Sequence, residues 1–296
     1  MAKRRHEEVV KASNNPKQNS DDSEMDSDDN EMDIVNVDFD FFDFKQVDFH
    51  AVKRLLIQTF GEDHELFELS ELTELIIKQN LVGTTVKVTG EDDPYAFLTV
   101  LNITELAETA VFKQISKYLL DKSSKNMKAN MKLKEILSPN VSQDVGFIIN
   151  ERLTNMPAQV VPPMLKMLFE EIQWAIDDKE RYNFEWYIML SPIYREIAPT
   201  SEQLQHEEIL PNQLQKDNSS KKPRTSEKAF YFHPEEEFIE PFAEYMFDFR
   251  FSKYKRAADS RNSFTDFGLL PLRRCFIIHK SQMLPIYNKL ESLFKP

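Results

Sequence analysis

The chain switches repeatedly between two kinds of apolar spacing, and this switching restricts it to a fold that mixes strands and helices. Between Tyr182 and Leu190 every even position is apolar, which is the period of a strand with one buried face. Behind Asp48 the apolar residues instead recur at helical spacing as far as Phe60. Because both periods recur, we predict an α/β (α+β) fold with helices packed on the faces of a mixed sheet.

Seven segments are strand-like. They lie at 35–41, 82–89, 95–103, 145–153, 182–190, 243–251 and 272–280. Residues 90–94, with the sequence Gly-Glu-Asp-Asp-Pro, predict a hairpin turn between the second and third of these. We therefore predict a sheet of roughly seven or eight strands.

Helical segments alternate with these strands. We predict them at 49–60, from 70 onward, and at 106–121, 126–137, 162–176 and 281–294. Asp48 is predicted to be the N-cap of the first, and Pro162 and Pro163 open the fifth, because proline is tolerated in a first turn. Glu235, Glu236 and Glu237 are interpreted as a solvated helix start, where acidic residues complement the helix dipole.

Two segments have too few apolar residues to pack into a core. Residues 1–33 are rich in Ser, Asp, Asn and Glu, so we predict a disordered acidic N-terminal tail. Residues 34–296 are predicted to form a single domain, with a mobile loop at about 198–228 that contains three prolines and many polar residues.

The net charge of −13 is concentrated near the start of the chain. Residues 1–20 carry about +3 and residues 21–48 carry −11, which leaves −5 for the remainder. A polyanionic segment attracts basic proteins and repels nucleic-acid backbones, so we predict client binding without direct nucleic-acid contact. The predicted client-binding residues are Asp21, Asp22, Glu24, Asp26, Asp28, Asp29, Glu31 and Asp33. A purely solubilising tail is the alternative.

Short signals lie within the same polar segments. Two basic clusters predict nuclear localisation signals, namely Lys3, Arg4 and Arg5, and Lys221, Lys222 and Arg224. Ser23 and Ser27, each followed by acids, are predicted phosphorylation sites that would add negative charge. The single Cys275 indicates a reducing compartment, and the chain lacks any apolar run long enough to span a membrane.

Catalytic and metal-binding patterns are missing from the sequence. Cys275 and His279 are four residues apart on a predicted strand, about 13 Å, which is too far for a nucleophile and its base. One Cys and six unclustered His do not make a structural zinc site, and there is no Gly-rich phosphate loop. We therefore predict a protein that is not an enzyme and has no cofactor. An exposed part of residues 230–232, Phe-Tyr-Phe, is an alternative client groove, with core packing favoured.

Several stretches resemble the BCCIP-like family of yeast and animal proteins. They are VNVDFDFFDF at 35–44, LIIKQNLVGTTVKV at 75–88, VGFIINERLTNMPAQVVPPM at 145–164 and PLRRCFIIHKSQM at 271–283. The resemblance covers about residues 34–294. It implies an acetyltransferase-like (GNAT-like) fold, residence in the nucleus with shuttling to the cytoplasm left open, and a role as chaperone for a basic ribosomal protein of the large subunit.

The same resemblance leaves other roles open. Family members are also linked to nuclear export of a phosphoinositide kinase with nuclear transport factors, and to DNA repair and cell-cycle control. An acetyltransferase-like fold raises the remote alternative of a diverged acyltransferase. However, the segment that would hold coenzyme A, residues 154–163, has no Gly and three Pro, so it lacks N–H groups for phosphate. We expect a fold without a functional coenzyme A loop.

Overall fold

The computed structural model describes residues 38–79, 81–139, 141–196, 229–252 and 269–294. Within these ranges there are eight strands, β1 (Phe39–Phe42), β2 (Thr84–Val88), β3 (Ala96–Asn102), β4 (Asp144–Arg152), β5 (Phe184–Glu196), β6 (Ala229–Tyr231), β7 (Tyr245–Phe249) and β8 (Leu269–His279). The α-helices in these ranges are α1 (Phe49–Phe60), α2 (Leu69–Lys78), α3 (Ala110–Lys122), α4 (Met127–Ile136), α5 (Val161–Asp177) and α6 (Met283–Leu293).

The strands form one mixed sheet in the order β1-β2-β3-β4-β5-β8-β7, and β6 pairs with β5 off this path. Every pairing is antiparallel except that of β4 with β5, which is parallel. A parallel pair needs a crossover connection, and α5 supplies it between these two strands. The predicted α/β fold with roughly seven or eight strands is confirmed.

The sheet separates two apolar cores. Residues of α1, α2, α3 and α4 pack on one face, and residues of α5 and α6 pack on the other. Along β4, Phe147 and Ile149 belong to the first core and Ile148 to the second, as the two-residue period of a strand requires. Helices therefore cover both faces, as predicted.

Gly146 lets large side chains meet in the centre of the sheet. A Cβ atom at this position would lie 2.7 Å from Cγ2 of Val100 and 2.9 Å from Cδ1 of Tyr187. Only a residue without a side chain leaves room for these neighbours on β3 and β5.

Asp48 occupies the predicted N-cap position of α1, but its side chain does not cap the helix because it is buried in an ion pair. Its side chain accepts no hydrogen bond from the first turn of α1. Instead Oδ1 lies 2.6 Å from Nζ of Lys87 on β2, and Oδ2 accepts a hydrogen bond of 2.8 Å from the amide of Lys45. A buried carboxylate needs such partners, and this one is satisfied across 39 residues of sequence.

Other differences concern element ends and one missed strand. β5 extends six residues beyond its predicted end at Leu190, and α3 begins at Ala110 rather than at 106. β6 was not predicted. The single-domain assignment stays a prediction, and the acidic tail and the loop at 198–228 lie outside the described residues. No helix in the described ranges is both long and apolar enough to cross a membrane.

Candidate functional site

The parallel strands β4 and β5 part halfway along their length. They pair from Asp144 with Phe184 up to Ile148 with Met189, and β4 then continues to Arg152 without pairing to β5. Further along, residues 193–195 of β5 pair with β6 instead. We call the space between the diverging strands the β4–β5 gap.

The gap is filled by residues 229–238, which comprise β6 and the 3-10 helix Pro234–Phe238 and which we call the wedge segment. Glu235 and Glu236 have no exposed surface, and His233 is 1% exposed. The interpretation of Glu235, Glu236 and Glu237 as a solvated helix start is therefore wrong for the first two, whereas Glu237 is exposed. Two acidic side chains enter the interior because cationic and hydroxyl partners receive them there.

Arg152, at the end of β4, binds the wedge segment through a buried ion pair with Glu235. Its Nη2 donates to Oε2 of Glu235 at 2.8 Å, and its Nη1 contacts Oε1. Its Nε donates to the carbonyl of Met156 at 3.3 Å. A two-pronged pair of this kind fixes both position and orientation, so the wedge segment is held firmly against β4.

Two further contacts hold the wedge segment against β5 and β4, and α1 supports the second of them. Oγ of Ser191 on β5 donates to Oε2 of Glu236 at 2.5 Å. Nε2 of His233 lies 3.6 Å from Oε2 of Glu151 on β4. Gln58 of α1 donates to the same carboxylate at 2.8 Å and to the carbonyl of Arg152 at 2.9 Å. The cluster therefore connects three elements around the wedge segment.

Two buried groups of this cluster, Glu236 and His233, have raised pKa values and so hold protons more tightly than they would in water. Burial raises the pKa of Glu236, since a charged carboxylate is costly in a dry interior. Burial lowers the pKa of His233, but the carboxylates of Glu236 and Glu151 outweigh it and raise the pKa overall. Oε1 of Glu236 and Oε1 of Glu151 have no hydrogen-bond partner among the residues that the structure describes. Protonation of Glu236 therefore removes the free-energy cost of keeping a charged carboxylate in the dry interior.

A second network anchors the same segment to β7 and β8. Arg274 on β8 binds Asp248 of β7 at 2.6 Å and Glu240 at 2.5 Å. The hydroxyl of Tyr231 donates to Glu240 at 2.5 Å, and burial is the main cause that raises its pKa. The wedge segment is thus built into the sheet at both of its ends.

The mouth of the gap is a cavity of about 190 Å³. It is lined by Arg152, Thr154, Met156, Ala158, Phe232, His233 and Pro234. Its size suits a few water molecules or a small ion rather than a nucleotide cofactor.

The turn that leads into α5 offers few donors to a phosphate. Pro162 and Pro163 occupy the first turn of the helix and have no N–H groups. Val161, Met164 and Leu165 are buried in the second apolar core. Binding of phosphate at a helix start requires accessible N–H groups, and this start supplies few.

The pair formed by Cys275 and His279 is not a catalytic dyad. Cys275 is fully buried, and burial raises the pKa of its thiol. His279 makes hydrogen bonds with Glu185 and Ser281 at 3.1 and 2.9 Å. The reading of Cys275 as a buried core thiol is confirmed. Within the described ranges, no group of three or more His, Cys, Asp or Glu is placed to hold a metal ion.

The aromatic stretch at residues 230–232 is half-buried by packing. The ring of Phe230 stacks on Tyr194 with centroids 5.4 Å apart, and Tyr231 stacks on Phe276 at 6.4 Å. Phe232 lines the cavity. These contacts favour core packing over an open client groove.

The residues predicted for client binding, phosphorylation and nuclear localisation all lie outside the described residues, so they stay predictions. Sequence reasoning missed the wedge segment. The available signal was Arg152, a cation three positions after the last apolar residue of β4, which needs a buried anion elsewhere in the chain. Local patterns do not say which anion.

Comparison with known proteins gives a consistent result. The model of the BCCIP family matches residues 34–239. Protein bcp1 of Schizosaccharomyces pombe is 38% identical over 263 residues, which cover 88% of this chain and 90% of that protein. Protein bcp1 of Aspergillus fumigatus is 45% identical over 240 residues, covering 80% and 79%. The crystal structure of BCP1 from Saccharomyces cerevisiae aligns with a TM-score of 0.60 and 25% identity, covering 90% of this chain and 93% of that one.

Proposed function

The chain belongs to the BCCIP family, and on this premise we propose that it is a non-enzymatic nuclear chaperone for a basic large-subunit ribosomal protein. It would shield the client during ribosome assembly and contribute to nuclear export of client proteins. We also propose that its sheet is an acetyltransferase-like arrangement without a working coenzyme A loop.

The main support for a non-enzymatic role is that the wedge segment fills the β4–β5 gap. A cofactor in that space would have to displace Glu235 and Glu236 from buried partners on both strands. Removing one member of a buried ion pair costs about 3–5 kcal/mol, so displacement is unfavourable. The prolines at the start of α5 also disfavour a cofactor, because they offer no N–H groups to a phosphate.

The acidic residues at 21–33 support the binding part. Eight carboxylates and no cation occupy these thirteen positions, which precede the edge strand β1. Ribosomal proteins carry dense Lys and Arg, and a polyanionic segment attracts such surfaces over a long range. Phosphorylation at Ser23 and Ser27 would add about −1.5 to −2 charges each and strengthen that attraction.

A scaffold for phosphoinositide-kinase export or repair complexes is the second candidate, and it rests on the family alone. A size-exclusion experiment separates the two. The full chain is mixed with a purified basic large-subunit ribosomal protein at low salt and at high salt. We expect a stoichiometric complex that weakens with salt. A complex with a kinase but none with the ribosomal protein would favour the scaffold.

A further inference from the structure

The helices α3 and α4 form a basic region in an acidic protein. Between residues 111 and 139 the chain has seven lysines and only two acids, a net charge of +5, while the whole chain has −13. Both helices cover the same face of the sheet. Positive charge is therefore concentrated at residues 111–139 and negative charge at residues 21–33.

Several of these lysines have no counter-ion within the described part of the chain. Lys122 binds Asp63 at 3.2 Å, and Lys132 binds Glu135 at 2.8 Å and lies over the ring of Trp186. By contrast, Lys125, Lys128 and Lys134 are exposed and make no ion pair with any described residue. Their charge is available to an anionic partner.

Two methionines lie among these free lysines. Met127 is 76% exposed and Met131 is 65% exposed. At 100° per residue, Lys134, Met127, Met131 and Lys128 fall within one arc of about 120°, opposite to the buried Leu133 and Ile136. We call Lys125, Met127, Lys128, Met131 and Lys134 the α4 face. Exposed methionines of this kind adapt well to a bound peptide.

The α4 face lies beside the edge of the sheet. Asn126, the N-cap of α4, donates from its side chain to the carbonyl of Met246 on β7 at 3.1 Å. This hydrogen bond holds the start of α4 next to the edge strand.

We propose that the acidic residues 21–33 dock on the α4 face of the same molecule. The segment has eight carboxylates, and Met25 and Met32 lie among them. Its charge and its two apolar side chains complement the free lysines and exposed methionines of the face. An anionic partner from outside would have to compete with a segment that is covalently attached, whose effective concentration reaches the millimolar range.

The chain is long enough to make this contact. β1 and β7 are the two ends of the strand order, six spacings apart, which is roughly 29 Å at about 4.8 Å each. Ser27 precedes Asp38, the first described residue, by eleven positions. Eleven extended residues span up to about 36–40 Å, so residues 21–28 can reach α4 beside β7.

Docking gives the acidic segment two alternative partners. In the free protein it would cover the α4 face, and a basic client would compete for it. This consequence rests on the proposed function, whereas the docking itself does not. The test below uses no client, so its failure leaves the chaperone role standing.

The test uses the full chain with ¹³C-labelled methionine methyl groups. Resonances of Met127 and Met131 are assigned with Met→Leu variants, and the buried Met164 is the internal reference. A second protein has the eight acidic residues of 21–33 replaced by Asn or Gln. We expect the Met127 and Met131 signals to differ between the two proteins and that of Met164 to coincide. At about 1 M salt the difference should vanish, because the Debye length falls to about 3 Å.

A charge-matched pair of variants checks the site. Lys128→Glu with Lys134→Glu should abolish the effect of neutralising the acidic segment. Lys179→Glu with Lys289→Glu makes the same change in charge in the turn after α5 and on α6, at the opposite face, and should leave the effect intact. The proposal would be overturned if the unaltered chain and the variant with neutral residues at 21–33 gave identical Met127 and Met131 signals at low salt. A difference that grows with protein concentration would also overturn it, since it would indicate contact between copies.

Discussion

Oε2 of Glu236 lies 2.5 Å from Oγ of Ser191, so a carboxylate with no exposed surface joins the wedge segment to β5. This contact lies where β4 has already separated from β5. Side chains of the wedge segment therefore fill the space that opens where the two parallel strands β4 and β5 diverge.

Replacement of Glu236 by Gln should reduce the pH dependence of stability. The pKa values of Glu236 and His233 are both raised in the folded chain. The folded state then keeps protons that the unfolded state releases, so their stabilisation is present at low pH and is lost as pH rises through neutrality. The slope is up to about 1.4 kcal/mol per pH unit for each proton. Urea unfolding between pH 5 and 8 should show a flatter profile for Glu236→Gln than for the exposed control Glu180→Gln.

Loss of Arg152 should destabilise the chain strongly. Arg152→Met leaves Glu235 buried without its cation, which costs about 3–5 kcal/mol in the free energy of unfolding. The exposed pair of Arg54 with Asp93 gives a control, because Arg54→Met should cost less than about 1 kcal/mol. The double change Arg152→Met with Glu235→Met should recover most of the loss. If urea denaturation showed that Arg152→Met and Arg54→Met lose the same free energy of unfolding, the stabilising role of the buried pair would be contradicted.

Restoring N–H groups at the start of α5 should not create a coenzyme A site. Pro162→Ala with Pro163→Ala supplies two donors, but the wedge segment still fills the gap. Calorimetry with acetyl-CoA at about 1 mM should detect no heat of binding for either protein, which places any Kd above that range. Micromolar binding to the unaltered chain would instead support the acyltransferase alternative.

The thiol of Cys275 should be unreactive in the folded protein. It is fully buried on β8, and burial raises its pKa, so almost no thiolate is present near neutral pH. Mass spectrometry after treatment with iodoacetamide should show no modification under native conditions and one modification in urea. Rapid native modification would mean that this part of the sheet opens readily.

Much of the fold could be predicted from periodicity, because most strands and helices bury one face. β2, β3 and β4 lie at or near their predicted positions for that reason. The wedge segment could not be predicted in this way. Glu235 and Glu236 resemble a solvated helix start, and only Arg152 and Ser191, more than 40 residues away, make their burial favourable.

The same limit applies to Asp48, whose partner Lys87 lies on another element. Local rules rank an aspartate before a helix as a cap, while tertiary contacts decide its role. The α4 face had a visible signal, a run of lysines at 113–134, but the net charge of the chain obscured it. Which lysines are unpaired depends on packing and requires the structure.

We propose above all that the protein holds a basic partner and keeps it in solution. Light scattering by a purified basic large-subunit ribosomal protein measures this directly, with and without an equimolar amount of the full chain. We expect the chain to suppress aggregation, and the variant with neutral residues at 21–33 to suppress it less. Equal aggregation with and without the chain would contradict the claim.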